Sequence, residues 1–161
     1  PGQINAQVPF EVPLGAVTVT VNSGGAAVGS ASVLVESAAP GLFMLAPGHA
    51  AAFNQDGSVN GPSQPAPVGS VIAVYLTGLG AVTNFVASGA AAPAIPLSLV
   101  SATVTASIAG QPAQVMFAGL APGFAGLYQV NLVVPPVSPG DEPLRVSVPG
   151  DSSNTATISV Q

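Results

Sequence analysis

Hydrophobic and polar positions alternate along this chain in short stretches and do not recur with the period of a helix. The clearest cases are VTVTV at residues 17–21 and VTASI at residues 104–108, where every second side chain is apolar. A period of two places alternate side chains on opposite faces of a strand. Strands are therefore predicted at residues 4–12, 16–22, 32–36, 51–54, 70–76, 102–109, 114–118, 127–134, 144–148 and 156–160.

Glycine and proline separate these strands. The chain has 19 Gly and 17 Pro, in pairs such as Asp56-Gly57 and Pro139-Gly140 that favour turns. Several short strands at this spacing predict an all-β fold made of Ig-like antiparallel β-sandwiches. Residues 68–87 are hydrophobic enough to be considered as a membrane span, but they contain several polar residues and three glycines and have no basic flank. A strand buried on both faces is predicted there instead.

An internal repeat organises the chain. Residues 3–9 and 129–135 share the pattern Q-(I/V)-N-x-x-V-P. Each is followed by a turn, an alternating strand, a second turn and another strand. Residues 3–36 and 129–161 therefore look like two copies of one three-strand unit.

The two copies differ in what precedes them. Predicted strands from about residue 51 to residue 118 precede the second copy, whereas nothing precedes the first in this chain. The expected organisation is an incomplete, three-strand Ig-like half-domain at residues 1–36 and a complete Ig-like sandwich at residues 37–161. A three-strand sheet has one face that must be buried. Either a neighbouring copy completes it, or further strands of a longer polypeptide do.

If a neighbouring copy completes the half-domain, residues of the unfinished sheet contact it. An unpaired edge and an uncovered apolar face favour strand donation between chains. A head-to-tail contact of this kind propagates into an open polymer. The predicted subunit interface consists of Gln3, Ile4, Asn5, Val8, Val17, Val19 and Val21.

Composition narrows the function classes. Hydrophobic residues make up 48% of the chain and charged residues only 4%, with one Arg, no Lys and six acids. One Arg cannot neutralise a phosphate backbone, so a nucleic-acid partner is excluded. Weak charge gives weak repulsion between copies and favours association, although a secreted domain with a neutral surface has the same composition. The absence of Cys excludes disulfides and thiol chemistry.

A family resemblance extends through nearly the whole chain. It is carried by QINAQVPFEVP, SAAPGLF, AAFNQDGSVN, YLTGLGAVT, IAGQPAQVMFAGLAPGFAGLYQVNLVVP and SNTATISV. Together these stretches resemble a C-terminal module of uncharacterised exported proteins of Acidobacteria of the Solibacter group. In that family more chain usually precedes the Q-I-N stretch. The resemblance implies secretion and an Ig-like architecture, and it implies no catalytic residue or ligand.

Candidate chemistry is sparse. His49 is the only histidine, and its sequence neighbours offer no partner for a metal site or a catalytic dyad. The stretch NQDGSVN at residues 54–60 has oxygen-bearing side chains around a glycine but only one carboxylate, which favours an Asp-Gly hairpin over a calcium loop. Asp141, Glu142 and Asp151, with Arg145 between them, indicate a solvated turn region.

The sequence therefore predicts a structural protein and not an enzyme, with no cofactor, metal or small-molecule ligand. Tyr75 and Tyr128 lie in apolar strands, where they are expected to be buried, so no aromatic platform for sugars is predicted; Tyr128 is a candidate to hold a loop through its hydroxyl. The favoured function is a subunit of an extracellular or cell-surface filament formed by copies of this chain. Alternatives are an Ig-like stalk or accessory module of a larger secreted protein, for adhesion or ligand binding, and a hydrolytic domain.

Overall fold

The structure is a computed structural model that describes residues 3–161. These residues form fourteen strands and no helix, which confirms the predicted all-β fold. The strands are β1 Gly15–Ser23, β2 Ala26–Val35, β3 Gly41–Leu42, β4 Met44–Ala46, β5 His49–Ala50, β6 Ala52–Phe53, β7 Val71–Thr77, β8 Thr105–Ile108, β9 Gln111–Ala113, β10 Val115–Leu120, β11 Tyr128–Val133, β12 Gly140–Val148, β13 Asp151–Ser152 and β14 Ala156–Val160.

Strands β1 and β2 form a two-stranded antiparallel sheet of their own, here called the hairpin (residues 15–35). Gly24 and Gly25 have positive φ and close the turn between the two strands. The register is continuous from the Gly15–Val35 pair to the Val21–Gly29 pair and then shifts by one residue, so that Val28 forms a bulge on β2.

The other twelve strands belong to two sheets within residues 37–161, here called the body. The five-stranded sheet has the order β10-β11-β7-β3, with β6 also paired to β7. The seven-stranded sheet has the order β4-β5-β14-β12-β8-β9, with β13 also paired to β12. Among the described pairs of strands only β5 and β14 run parallel, and the rest are antiparallel.

The core of the body lies between these two sheets. Alternate residues of β7 and β11 point inward, as the period of two requires, and meet inward residues of β12 and β14 in a single hydrophobic cluster. The fully buried members include Ile72, Val74, Leu76, Val130, Leu132, Leu144, Val146 and Ile158. This arrangement confirms a strand within residues 70–76, but only one of its faces is fully buried and the other is half-buried. The more detailed Ig-like topology stays a prediction.

The predicted strand at residues 4–12 is wrong. Residues 3–9 have no strand pairing and residues 10–12 form a turn, in which the Val12 amide donates to the Pro9 carbonyl. The matching stretch of the second copy is β11, which is hydrogen-bonded to β10 on one side and β7 on the other. The same local pattern forms a strand only where neighbouring strands accept its hydrogen bonds.

The other two strands of the repeat pair in the same way in both copies. Strand β12 pairs antiparallel with β14, as β1 pairs with β2. In the second copy, however, β11 belongs to the opposite sheet and covers the apolar face of β12 and β14. Residues 3–36 therefore contain two strands and not the predicted three, while the division of the chain into two domains at residue 36 stays a prediction.

Several very short strands were not predicted. Strands β3, β5 and β13 have two residues each, too few to show any periodicity. The two-residue strand β6 lies within the strand predicted at residues 51–54. No helix in the described part of the chain is long and apolar enough to cross a membrane.

Candidate functional site

The hairpin has one apolar and one polar face. Cross-strand pairs such as Val17–Val33 and Val19–Ala31 lie on the apolar face, whereas Thr18–Ser32 lies on the other. Val19 is 48% exposed although its face is apolar. Burial of such a valine stabilises a protein by about 1.5–3 kcal/mol relative to exposure. The apolar face of the hairpin is therefore left largely uncovered.

Both outer edges of the hairpin are also unpaired. Within residues 3–161, no backbone group of β1 or β2 is hydrogen-bonded to a residue outside the hairpin. Natural proteins protect such edges with charged residues, proline or bulges. Residues 15–35 contain no charged residue and no proline, and the one bulge, at Val28, lies on β2. The edge of β1 is therefore long, regular and unprotected.

A groove lies at the root of the hairpin, where the hairpin meets the body. Its volume is about 1060 Å³, and its walls are mainly apolar. It is lined by the segment before β1, by the apolar face of the hairpin and by loops at one end of the body. Its lining includes Val8, Phe10, Val19, Val33, Phe85 and Tyr128.

Residues 3–14, here called the N-terminal segment, are anchored on body loops by side-chain hydrogen bonds. Gln7 accepts a hydrogen bond from the Gly89 amide at 2.8 Å. Ser88 accepts from the Phe10 amide at 2.9 Å, and its hydroxyl donates to the Glu11 carboxylate at 2.7 Å. The hydrogen bond from Ser88 lowers the pKa of Glu11 because it stabilises the ionised carboxylate.

A close contact fixes the connection between the hairpin and the body. The Ala39 amide donates to the Gly78 carbonyl at 2.8 Å, just beyond the end of β7. Gly78 has a φ of +76°, and a Cβ at this position would overlap the Ala39 carbonyl oxygen. Only glycine therefore allows the chain leaving the hairpin to pass so close to β7.

The predicted interface residues fall into two groups. Val17, Val19 and Val21 lie on the apolar face of the hairpin, as predicted. Gln3, Ile4, Asn5 and Val8 are exposed on the N-terminal segment and are not in a strand; Ile4 is 74% exposed. The groove brings Asn5, Val8 and Val19 together, whereas Gln3, Ile4, Val17 and Val21 are not among its lining residues. Contact of these residues with a second chain stays a prediction.

Sequence reasoning missed two parts of this surface. Val33 continues the apolar face on β2, and the alternation in ASVLV at residues 31–35 was the available signal. Phe10 and Phe85 also line the groove, but no periodicity in their neighbourhood distinguishes them from other loop residues. These two residues come close to each other only in the folded chain.

A second cluster surrounds His49. Its Nε2 lies 3.1 Å from Ser159 Oγ and 3.9 Å from Asp141 Oδ1, and its Nδ1 lies 3.2 Å from Thr157 Oγ1. These partners are more than 90 residues away in the sequence, so none of them lies among the sequence neighbours of His49. Asp141 is 47% exposed, as expected for a solvated region, but it lies in β12 and not in a turn. Its carboxylate accepts a hydrogen bond from the Ser159 hydroxyl.

The order of hydrogen bonds in this cluster differs from that of a catalytic triad. In a triad the serine hydroxyl donates to histidine, and the histidine donates to the carboxylate. Here the Ser159 hydroxyl donates to Asp141, and His49 can only donate to Ser159. Ser159 is also buried. The cluster joins β5 to β14 and β12 and does not present an activated nucleophile.

The remaining candidate residues have structural partners. Hydrogen bonds from the side chain and the backbone of Ser58 lower the pKa of Asp56, and Phe53 pairs with Val59, which confirms the Asp-Gly hairpin. Arg145 donates to Thr155. Among the described residues, no group of three or more His, Asp or Glu side chains is placed to hold a metal ion.

The two tyrosines differ in burial. Tyr75 is half-buried and packs edge-to-face on Phe53 with ring centroids 5.8 Å apart. Tyr128 is buried, and its hydroxyl donates to the Gly80 carbonyl, which confirms that it holds a loop. Burial raises the pKa of Tyr128 because it disfavours the phenolate. Gly80 also lines the groove, so this bond helps to shape it.

Comparisons with protein-family models, curated proteins and solved structures found no match to this chain. The resemblance to the exported bacterial module therefore stays a prediction based on the stretches quoted above.

Proposed function

We propose that this protein is a structural subunit of an extracellular filament or surface assembly, in which neighbouring copies complete each other's hairpins. The observation that carries the proposal is the hairpin itself. It is a two-stranded sheet with an uncovered apolar face and an unprotected edge along β1. An isolated two-stranded hairpin is only marginally stable in water, and a third strand or a covering layer is needed for independent stability.

The second copy of the repeat supports the idea that another sheet covers the hairpin. There, β12 and β14 are covered by the sheet that contains β11, which buries Leu144, Val146 and Ile158. The corresponding apolar face of the hairpin has no strand of the described chain to cover it. A strand or half-domain from a neighbouring chain would supply the missing layer, as in donor-strand complementation.

Charge supports a second copy as the partner. The net charge of the chain is −5, but residues 15–35 contribute nothing to it. Two copies that meet at their hairpins bring together surfaces without like charges, and the low charge of the whole chain limits long-range repulsion. Secretion and an Ig-like topology belong to the same proposal and are supported by the family resemblance.

Assembly is tested by sedimentation and negative-stain microscopy of the purified protein over a range of concentrations. We expect oligomers or filaments, and we expect Val19→Asp to abolish them because it places a charge on the apolar face. Val59→Asp is the matched control, since Val59 is equally exposed at 48% but lies on the body. Particles that stay monomeric at high concentration contradict the proposal and favour the alternative of a stalk or accessory module.

A further inference from the structure

We propose that two copies of this chain pair through the outer edges of their β1 strands, around a two-fold axis that passes beside Val19. The product is a four-stranded antiparallel sheet with the order β2-β1-β1-β2. This inference rests on the proposed self-assembly and specifies its first contact.

The edge of β1 is the more suitable of the two edges. Residues 15–21 are in regular register with β2, whereas β2 carries the bulge at Val28, which interrupts its outer edge. Glu36 directly follows β2, so a pairing between β2 strands would place a carboxylate at each of its two ends. No charged residue lies within three positions of β1 on either side. Regular backbone geometry and the absence of charge both favour β1.

The sequence of β1 is self-complementary in an antiparallel pair. Residues 17–21 read VTVTV, which is the same in both directions. With Val19 opposite Val19 of the second copy, Val17 lies opposite Val21, and Thr18 lies opposite Thr20. Directly opposite residues share a face in an antiparallel sheet, so every valine of both copies lies on one face. A slip by one residue would mix valine and threonine on each face.

The shape of the molecule favours this two-fold arrangement over side-by-side stacking of hairpins. Successive hairpins in a continuous stack are only about 10 Å apart, which is two strand spacings. A body of the length of residues 37–161 has a radius of gyration of about 14 Å, so stacked bodies would collide. Both ends of the hairpin, Gly15 and Val35, lie at its root beside the body. Antiparallel pairing therefore places the two bodies at opposite ends of the shared sheet.

The shared sheet also extends the uncovered apolar face. Val17, Val19 and Val21 of both copies, with Val33 and Ala31 on the flanking strands, form one continuous apolar surface. Four strands with a hydrophobic face reach the size at which a sheet is independently stable when a second layer covers it. The dimer therefore gains main-chain hydrogen bonds at once and presents a larger surface for further assembly.

Single cysteines test the pairing, since the chain contains none of its own. In Val19→Cys the two thiols face each other across the axis, with Cβ atoms about 4.5–5.5 Å apart. Mild oxidation, or a short bismaleimide, should link this variant into dimers. The control is Val33→Cys, on the same face but on β2, where the two thiols are about 20 Å apart, because they are separated by three strand spacings across the sheet and four residues along the strands. Circular dichroism verifies that both variants keep the β fold.

We expect several-fold more linked dimer for Val19→Cys than for Val33→Cys. Equal linking of the two variants, or more linking of Val33→Cys, overturns the β1 pairing. If neither variant is linked while sedimentation shows oligomers, the β1 pairing is also overturned. The proposed self-assembly is still supported in that case. If the unmodified protein and both variants sediment as monomers at all concentrations, the pairing and the proposed function both fail.

Discussion

Ser88 holds Glu11 in place, with its hydroxyl 2.7 Å from the carboxylate, across a sequence separation of 77 residues. Ser88 also accepts from the Phe10 amide, so one side chain ties the N-terminal segment to the body at two points. The position of this segment determines one wall of the groove.

Replacement of Ser88 by alanine should loosen the N-terminal segment without unfolding the body. The variant loses both hydrogen bonds, so the Phe10 amide should exchange with solvent faster, and the pKa of Glu11 should rise towards its ordinary value. Hydrogen exchange and an NMR titration measure the two effects. Ser63→Ala, at an exposed position on the body, is the control and should change neither quantity. Unchanged Phe10 exchange in Ser88→Ala would contradict the anchoring role.

Acid should release the N-terminal segment through Glu11. Its pKa is lowered in the folded protein, so the ionised carboxylate favours the anchored state. This contribution is fully present above the pKa that Glu11 has when the segment is detached, and it is lost as the pH falls through the lowered pKa. The protection of the Phe10 amide, relative to its intrinsic exchange rate at each pH, should therefore fall in that acidic window. Glu11→Gln should remove this pH dependence, whereas a variant that keeps it would show that another group is responsible.

The body should depend on Leu132 far more than the hairpin depends on Leu34. Leu132 is fully buried between the two sheets, and Leu132→Ala should lower the free energy of unfolding by about 2–5 kcal/mol. Leu34 is 65% exposed, so Leu34→Ala in the monomer should change the free energy of unfolding by no more than about 0.5 kcal/mol. Urea denaturation measures both values. A comparable loss in the two variants would mean that Leu34 is covered in solution.

Gly78→Ala should destabilise the protein far more than Gly57→Ala. Both glycines have positive φ, so each substitution costs about 1 kcal/mol or more of backbone strain. At Gly57 the new Cβ meets open space, whereas at Gly78 it overlaps the Ala39 carbonyl and forces the connection to the hairpin away from β7. The midpoint of thermal unfolding should be clearly lower for Gly78→Ala than for Gly57→Ala. Equal midpoints would show that the close approach of residue 39 is not required.

Ser159→Ala should weaken the edge of the seven-stranded sheet. The variant leaves the Asp141 carboxylate and His49 without their shared hydroxyl, and loss of buried hydrogen-bond partners costs about 1–3 kcal/mol. Ser107→Ala is the control, at a half-buried position of β8 in the same sheet. Unfolding by urea gives the comparison. A Ser159→Ala variant as stable as the control would show that the cluster around His49 adds nothing to stability.

Much of the candidate surface could be predicted from the local alternation of apolar and polar residues. The alternation VTVTV predicted a strand with Val17, Val19 and Val21 on one face, and the hairpin places them there. The groove could not be predicted from the sequence, because it depends on loops such as residues 79–91 that have no periodicity. The cluster of His49 and Ser159 was hidden for the same reason, since 110 residues separate the two side chains.

The sequence by itself determined the all-β class, most of the longer strands, the turns at Asp56-Gly57 and Gly24-Gly25, and the charge-free hairpin. These depend on side-chain alternation and on local backbone preferences, which act within a few residues. Only the tertiary structure decided that residues 129–133 form a strand and residues 3–9 do not. Both carry Q-(I/V)-N, but a strand is stabilised by hydrogen bonds from its neighbours, and only β11 has a strand on either side.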